Sequence, residues 1–233
     1  MKLLHIVATP REDHSGTLQV SRAFLQSMNA RYPDLNIEEF NLFQRELPAV
    51  AGENIEAKYT LMMGQPLDKL HQESWKQIED QIGHFLSADI YVISTPMWNF
   101  GIPYSLKFYI DAICQPGYLF RYDEFGRAIG LVNGKKMVCI TSRGADYSED
   151  SPYHAYDFVE PYLRTIFGFV GITDLSFINA QPMDISPQLR EMALANAILE
   201  AHQLAVGGNW RVDETATEVQ NPPELKPAPL SVQ

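Results

Sequence analysis

Between Asp89 and Phe120 the chain reads DIYVISTPMWNFGIPYSLKFYIDAICQPGYLF, and this stretch leaves few folds open. Ile90, Tyr91, Val92 and Ile93 are four apolar, partly β-branched residues in succession, the pattern of a strand covered on both faces in a parallel sheet. Pro96 ends that strand, because it lacks a donor for the sheet ladder and restricts Thr95 before it. Met97, Trp98, Asn99, Phe100 and Gly101 then place three bulky side chains in a loop. Pro103 suits the first position of a helix, and Leu106, Tyr109, Ile110 and Ile113 follow at helical spacing. Open α/β sheets bind ligands at the C-terminal end of a central strand, where this loop stands. Taken alone, the same residues equally suit a loop covering the sheet edge or a subunit contact.

The rest of the chain repeats the strand-then-helix rhythm. Residues 3–8 form a buried first strand leading into Thr9-Pro10-Arg11-Glu12-Asp13-His14-Ser15-Gly16-Thr17. A helix beginning near Ser15 carries Leu18, Phe24, Leu25 and Met28 on one side. Hydroxyls and free amides meeting at a helix start make an anion site, although Ser15 by itself is an ordinary N-cap. Neither the glycine-rich dinucleotide fingerprint nor a Gly-Lys-Ser/Thr phosphate loop is present, which leaves a single phosphate held mainly by neutral donors. Residues 37–40 give a second strand and 45–64 read as irregular, with Pro48 and Gly52 as breakers. Leu67, Leu70, Trp75, Ile78, Ile82 and Phe85 then mark a helix. His71 and His84 on it stand at no metal-site spacing and read as surface or cap residues.

Past Phe120, residues 121–126 read as a turn over the sheet. A strand at 137–141 ends in Ser142-Arg143-Gly144-Ala145, where Gly144 lets backbone approach a flat ligand; alone, this is an ordinary strand exit. Residues 153–167 give a helix that Pro161 kinks or splits. A fifth strand spans 172–180, and a last helix starts at Pro187 with Leu189, Met192, Ala193, Ala195, Ile198 and Leu199 as core candidates. From residue 207 the composition turns proline-rich. The expected organisation is therefore one domain over 1–206 and an extended or disordered tail over 207–233.

Five strands alternating with helices specify a doubly wound parallel α/β sheet with helices on both faces. In the order 2-1-3-4-5 the crevice lies between strands one and three, and the loops after strands one, three and four open onto it. One phosphate pocket beside an aromatic and glycine platform matches flavin mononucleotide (FMN). The net charge of −11 lacks the footprint of a nucleic-acid binder and disfavours anionic membranes. Two cysteines, Cys114 and Cys139, make no disulfide framework, and no apolar run approaches a membrane span. The start is too short and poorly flanked for a secretory signal, so the expectation is a soluble, cytoplasmic protein.

Several motifs occur together and in order: Thr9-Pro10-Arg11 with Ser15-Gly16-Thr17; Pro96 to Phe100; Phe120-Arg121-Tyr122; Gly134-Lys135-Lys136 leading to Ser142-Arg143-Gly144; and Pro161-Tyr162-Leu163 with Gly168 to Asp174. Over roughly the first 200 residues the chain thereby resembles the FMN-dependent NADH azoreductases and quinone reductases of the flavodoxin-like fold. The resemblance implies bound FMN and a ping-pong transfer of two electrons from NADH or NADPH to a quinone or azo acceptor. It also implies a homodimer with sites at the subunit interface, and no catalytic side chain or metal. It puts Thr9, Ser15, Gly16 and Thr17 at the phosphate and ribityl end. Met97, Trp98, Asn99, Phe100, Ser142, Arg143, Gly144 and Ala145 lie along the flavin ring, and Phe120 and Phe169 are apolar walls of a substrate pocket built from two chains. The chain departs from the family pattern at Thr9 (often Ser), Trp98 (often Tyr) and Ala145 (often Gly). One rival is a flavodoxin-like electron carrier or redox sensor without substrate turnover. A hydrolase is weaker, since no Gly-x-Ser-x-Gly elbow occurs and no His is placed to activate Ser94, Ser105 or Ser142.

Overall fold

A computed structural model describes residues 1–63 and 65–211. In chain order the elements are β1 (Lys2–Val7), α1 (Gly16–Arg31), β2 (Asn36–Asn41), α2 (Glu53–Met62), α3 (Lys69–Leu86), β3 (Ile90–Pro96), α4 (Tyr104–Ile113), β4 (Phe120–Tyr122), β5 (Ala128–Gly130), β6 (Lys136–Ser142), α5 (Glu160–Phe169), β7 (Asp174–Ala180) and α6 (Pro187–Gly207). Strands β2-β1-β3-β6-β7 form one sheet, every neighbouring pair parallel. With the small β4–β5 hairpin set aside, this is the 2-1-3-4-5 order expected from the sequence.

Side-chain alternation along the central strands divides the core. Ile90 and Val92 of β3, with Val138 and Ile140 of β6, face α1 and α6, whereas Tyr91, Ile93, Met137 and Cys139 face α3, α4 and α5. Such strands need apolar residues at every position, which is why the central runs are legible in the sequence. On α6 the buried stripe is Ala193, Ala197, Ala201 and Ala205, one per turn, so small side chains let the helix lie close against α1. The larger residues expected in the core, Leu189, Met192, Ile198 and Leu199, face outward instead.

Three local expectations are corrected. The stretch expected to be irregular contains α2, whose one buried residue is Ala57, too few for an apolar period. Pro161 does not break a helix: α5 starts at Glu160, and the proline occupies the first turn, where its missing N–H costs nothing. The expected turn at 121–126 belongs to the β4–β5 hairpin, paired from Phe120–Gly130 to Tyr122–Ala128. Gly130 seats the hairpin on the body: a Cβ there would stand 2.4 Å from the Gly171 nitrogen and from the Val170 carbonyl carbon. No described helix is long and apolar enough to cross a membrane.

Candidate functional site

Because β1, β3 and β6 are adjacent and parallel, their C-terminal loops emerge side by side. They border a cleft lined by Thr9, Arg11, Ser15 and Gly16 after β1, by Pro96, Met97 and Trp98 after β3, and by Ser142, Arg143 and Gly144 after β6; Met183, Asp184 and Arg190 close it from the β7–α6 connection. The loops are tied by main chain. Ala8 N–H donates to the Ser94 carbonyl at 2.8 Å, and Met97 N–H to the Ser142 carbonyl at 2.9 Å. The Met183 and Asp184 amides donate to the Gly144 carbonyl at 3.1 and 3.0 Å.

At the start of α1, Ser15 caps the helix by accepting from the Leu18 amide at 3.3 Å. The amides of Gly16 and Thr17 donate to no acceptor among the described residues. Thr9, Ser15 and Thr17 are all buried. The Thr9 hydroxyl meets Ser15 at a long 3.4 Å, so both oxygens are weakly engaged. Thr17 behaves differently, for its hydroxyl bonds the Ser142 hydroxyl at 2.6 Å and joins the first and third loops. Beneath them Ser21 donates to the Thr17 carbonyl at 2.9 Å and bonds Ser94, whose hydroxyl meets His5 Nε2 at 2.7 Å. A buried polar layer thus fixes the first turns of α1 against β1 and β3. Loose hydroxyls with two free helix-start amides make a cradle of neutral donors suited to one phosphate.

The loop after β3 is a two-residue hairpin. Trp98 and Gly101 exchange two main-chain hydrogen bonds of 2.8 and 3.0 Å around Asn99 and Phe100. Both central residues have positive φ, 48° and 70°, as in a type I′ turn. For a bulky aromatic this is a sparsely populated conformation, and such strain clusters at ligand-binding sites. Trp98 packs beside Phe43 and Tyr104, with ring centroids at 6.1 and 6.3 Å. Asn99 and Phe100 project at the exposed tip and do not border the cleft within this chain. The amides of Asn99, Phe100, Gly144 and Ala145 bond no acceptor among the described residues, whereas those of Met97, Trp98 and Arg143 are already used.

Two expectations about the site change. Arg143 does not extend its side chain toward a ring. The guanidinium is buried, donating to Asp157 at 2.8 Å and to Thr141 at 2.9 Å, with Glu160 at 3.7 Å. At Gly144, which lines the cleft, an added Cβ would stand 3.0 Å from Oδ2 of Asp184, another residue of the cleft wall. Phe120 is buried and packs on Phe169, centroids 4.7 Å apart, so it is core and not an exposed lid. Phe169 is 37% exposed, and neither ring lines the cleft of its own chain. Met183, Asp184 and Arg190 show what sequence spacing conceals: α6 follows the edge strand, and only the sheet order brings its start to α1.

Burial pushes the Cys114 thiol up to about 12 and Cys139 higher still, so neither thiol ionises at neutral pH. Among the described residues no cluster of three His, Cys, Asp or Glu could hold a metal ion.

The profile of the flavodoxin-like fold family matches residues 1–205. The chain belongs to that family. Among flavodoxin-like relatives, the FMN-dependent NADH:quinone oxidoreductase of Nostoc punctiforme is 40% identical over 200 residues, covering 84% of this chain and 94% of the relative. That of Nitratidesulfovibrio vulgaris (strain DP4) is 34% identical over 205 residues, covering 88% and 98%. In structure, the chain is similar to an FMN-dependent NADH-azoreductase from Bacillus anthracis str. Ames Ancestor in complex with FMN. The TM-score is 0.79 at 30% identity, covering 89% of this chain and 99% of that one.

Proposed function

We propose that this chain is an FMN-dependent oxidoreductase that passes two electrons from NADH to quinones or aromatic azo compounds. One observation carries the reading: a neutral phosphate cradle at the start of α1 and the Met97–Trp98 and Ser142–Gly144 loops meet in one cleft. The chain's relatives are named for FMN, NADH and quinones or azo compounds. Bound FMN supplies the two-electron carrier between nicotinamide and acceptor.

The residues supply place and polarity. Thr9, Ser15 and the Gly16 and Thr17 amides hold the phosphate. Met97 and Trp98 would give the ring an apolar floor, and the free Gly144 amide would supply a fixed donor within the cleft, the kind that stabilises developing negative charge. Ser142 and Arg143 act from behind, one tying the loop to α1 and the other anchoring it to α5.

The active form is a homodimer. Phe100, Tyr153, Tyr156 and Phe158 form an exposed aromatic surface around the hairpin tip, where Phe158 N–H donates to the Phe100 carbonyl at 3.0 Å. Phe169 is the exposed ring offered to a partner's acceptor pocket. Mass spectrometry of the released cofactor, followed by anaerobic bleaching with NADH and quinone turnover, tests the activity. Recovery of FAD, or no binding of added FMN, would overturn it. Sedimentation of the active enzyme tests the dimer, and a strictly monomeric active species would exclude it.

A further inference from the structure

The phosphate cradle is neutral, but the phosphate monoester of FMN carries nearly two charges at neutral pH. Three arginines border the cleft: Arg11, Arg143 and Arg190. Arg143 is committed to Asp157 and Glu160. Arg11 is exposed on the rim, and its guanidinium is anchored to no described residue. Arg190, in the first turn of α6, differs from both. Its Nη1 donates to the Met183 carbonyl at 3.1 Å, which holds the fork in place, while its Nε and Nη2 donate to no described residue. Asp184 stands 3.6 Å from the same Nη1, too far for a hydrogen bond, on a side chain 73% exposed.

Gly16 leaves open the space beside the fork. Arg190 Nη2 lies 3.9 Å from where a Cβ on Gly16 would stand, and that Cβ would meet Met183 Cε at 2.6 Å. A side chain there would fill the space between the guanidinium and the first turn of α1. With glycine there, Arg190 with its unused donors and Gly16 with its free amide border the same cleft.

We propose that Arg190 is the cationic partner of the cofactor phosphate, exchanging its loose contact with Asp184 for a charge-assisted bond to phosphate oxygens. This rests on the FMN reading above and adds a residue from the far edge of the sheet to the site. An anchored planar fork loses less freedom on binding than the free Arg11 side chain and suits phosphate geometry.

The test compares two ligands that differ by the phosphate alone. FMN and riboflavin are titrated by flavin fluorescence into the full chain stripped of flavin, as wild type, Arg190→Gln and Arg190→Lys. Arg190→Gln should weaken FMN about 10-fold while riboflavin changes less than about 2-fold, and Arg190→Lys should restore part of the loss. The loss should also shrink as salt rises. FMN affinity unchanged in Arg190→Gln, or FMN and riboflavin weakened by the same factor, would overturn the assignment, since a purely structural role moves both. Melting temperatures of the stripped proteins identify a variant that fails to fold; in that case Arg190→Met is compared at low salt, and an FMN-to-riboflavin affinity ratio equal to that of wild type overturns the assignment. A wild type that binds neither flavin overturns the FMN reading itself, a separate result from a wild type that binds FMN indifferently to position 190.

Discussion

Asp157→Ala should destabilise the protein more than any single change in the cleft itself. Asp157 Oδ2 accepts from Arg143 Nη1 at 2.8 Å, and Oδ1 accepts from the Val159 and Glu160 amides at 2.9 and 3.2 Å. The side chains of Arg143 and Asp157 are 1% and 6% exposed. Truncation therefore strands a buried cation and uncaps α5 in one step. Removing one partner of a buried pair costs about 3–5 kcal/mol, and losing a helix cap about 1 kcal/mol. Glu160, 3.7 Å from Nη2, offsets part of this, which sets the expectation at about 3 kcal/mol. For a domain of this size that is a fall in Tm of roughly 6–12 °C. Asp157→Asn keeps one oxygen able to accept from both the Val159 and Glu160 amides and should lose about half as much. Adding Arg143→Met to Asp157→Ala should recover stability, because the uncompensated charge leaves with the side chain. Urea unfolding of the single and double variants measures all three. A loss below about 1 kcal/mol for Asp157→Ala, or simple additivity in the double variant, would refute the view that this pair braces the Ser142–Ala145 loop.

Hydrogen bonds from Lys2 and then His84 hold the Glu38 carboxyl below its usual range, so the contact stabilises the fold above the unfolded carboxylate range and is lost as pH falls through the lowered folded value. The Tm difference between wild type and Glu38→Gln should accordingly be full above about pH 5 and close in acid; a gap independent of pH would contradict this. At position 100, where φ is 70°, both Gly and Ala remove the ring but Gly alone relieves the backbone. Phe100→Gly should thus be more stable than Phe100→Ala by about 1 kcal/mol in thermal unfolding, and equal stabilities would deny the strain. Gly130→Ala drives a methyl onto backbone atoms of Val170 and Gly171 that cannot rotate away. It should cost roughly 2 kcal/mol or more, and a neutral result would place the hairpin elsewhere.

The sheet was legible because strands covered on both faces require unbroken apolar runs, as at Ile90–Ile93 and Met137–Ile140, and those runs cannot be satisfied at a solvated edge. The hairpin of β4 and β5 was not, since its three-residue strands are mostly exposed and impose no alternation. The resemblance placed Arg143 along the flavin ring. What redirects it is Asp157, fourteen positions on, and nothing in either residue type announces the pairing. The cleft was read through the loops that follow its own strands. Its fourth wall, Met183 to Arg190, hangs on an edge strand and reaches α1 through the packing of α6, a contact with no local signature. Of the tail expected over 207–233, residues 212–233 lie outside the described residues, while Trp210 is buried against Phe24, ring centroids 5.4 Å apart.

The hairpin at Trp98–Gly101 carries a consequence for how such a chain can diversify. Its shape is fixed by peptide groups alone: two bonds across the turn and one from Phe158 to the Phe100 carbonyl. The side chains at 99 and 100 take no part in those bonds, so the tip is a fixed bracket with exchangeable fittings. Chains sharing this backbone are free to change the two exposed residues at the tip, and the sheet behind them need not respond.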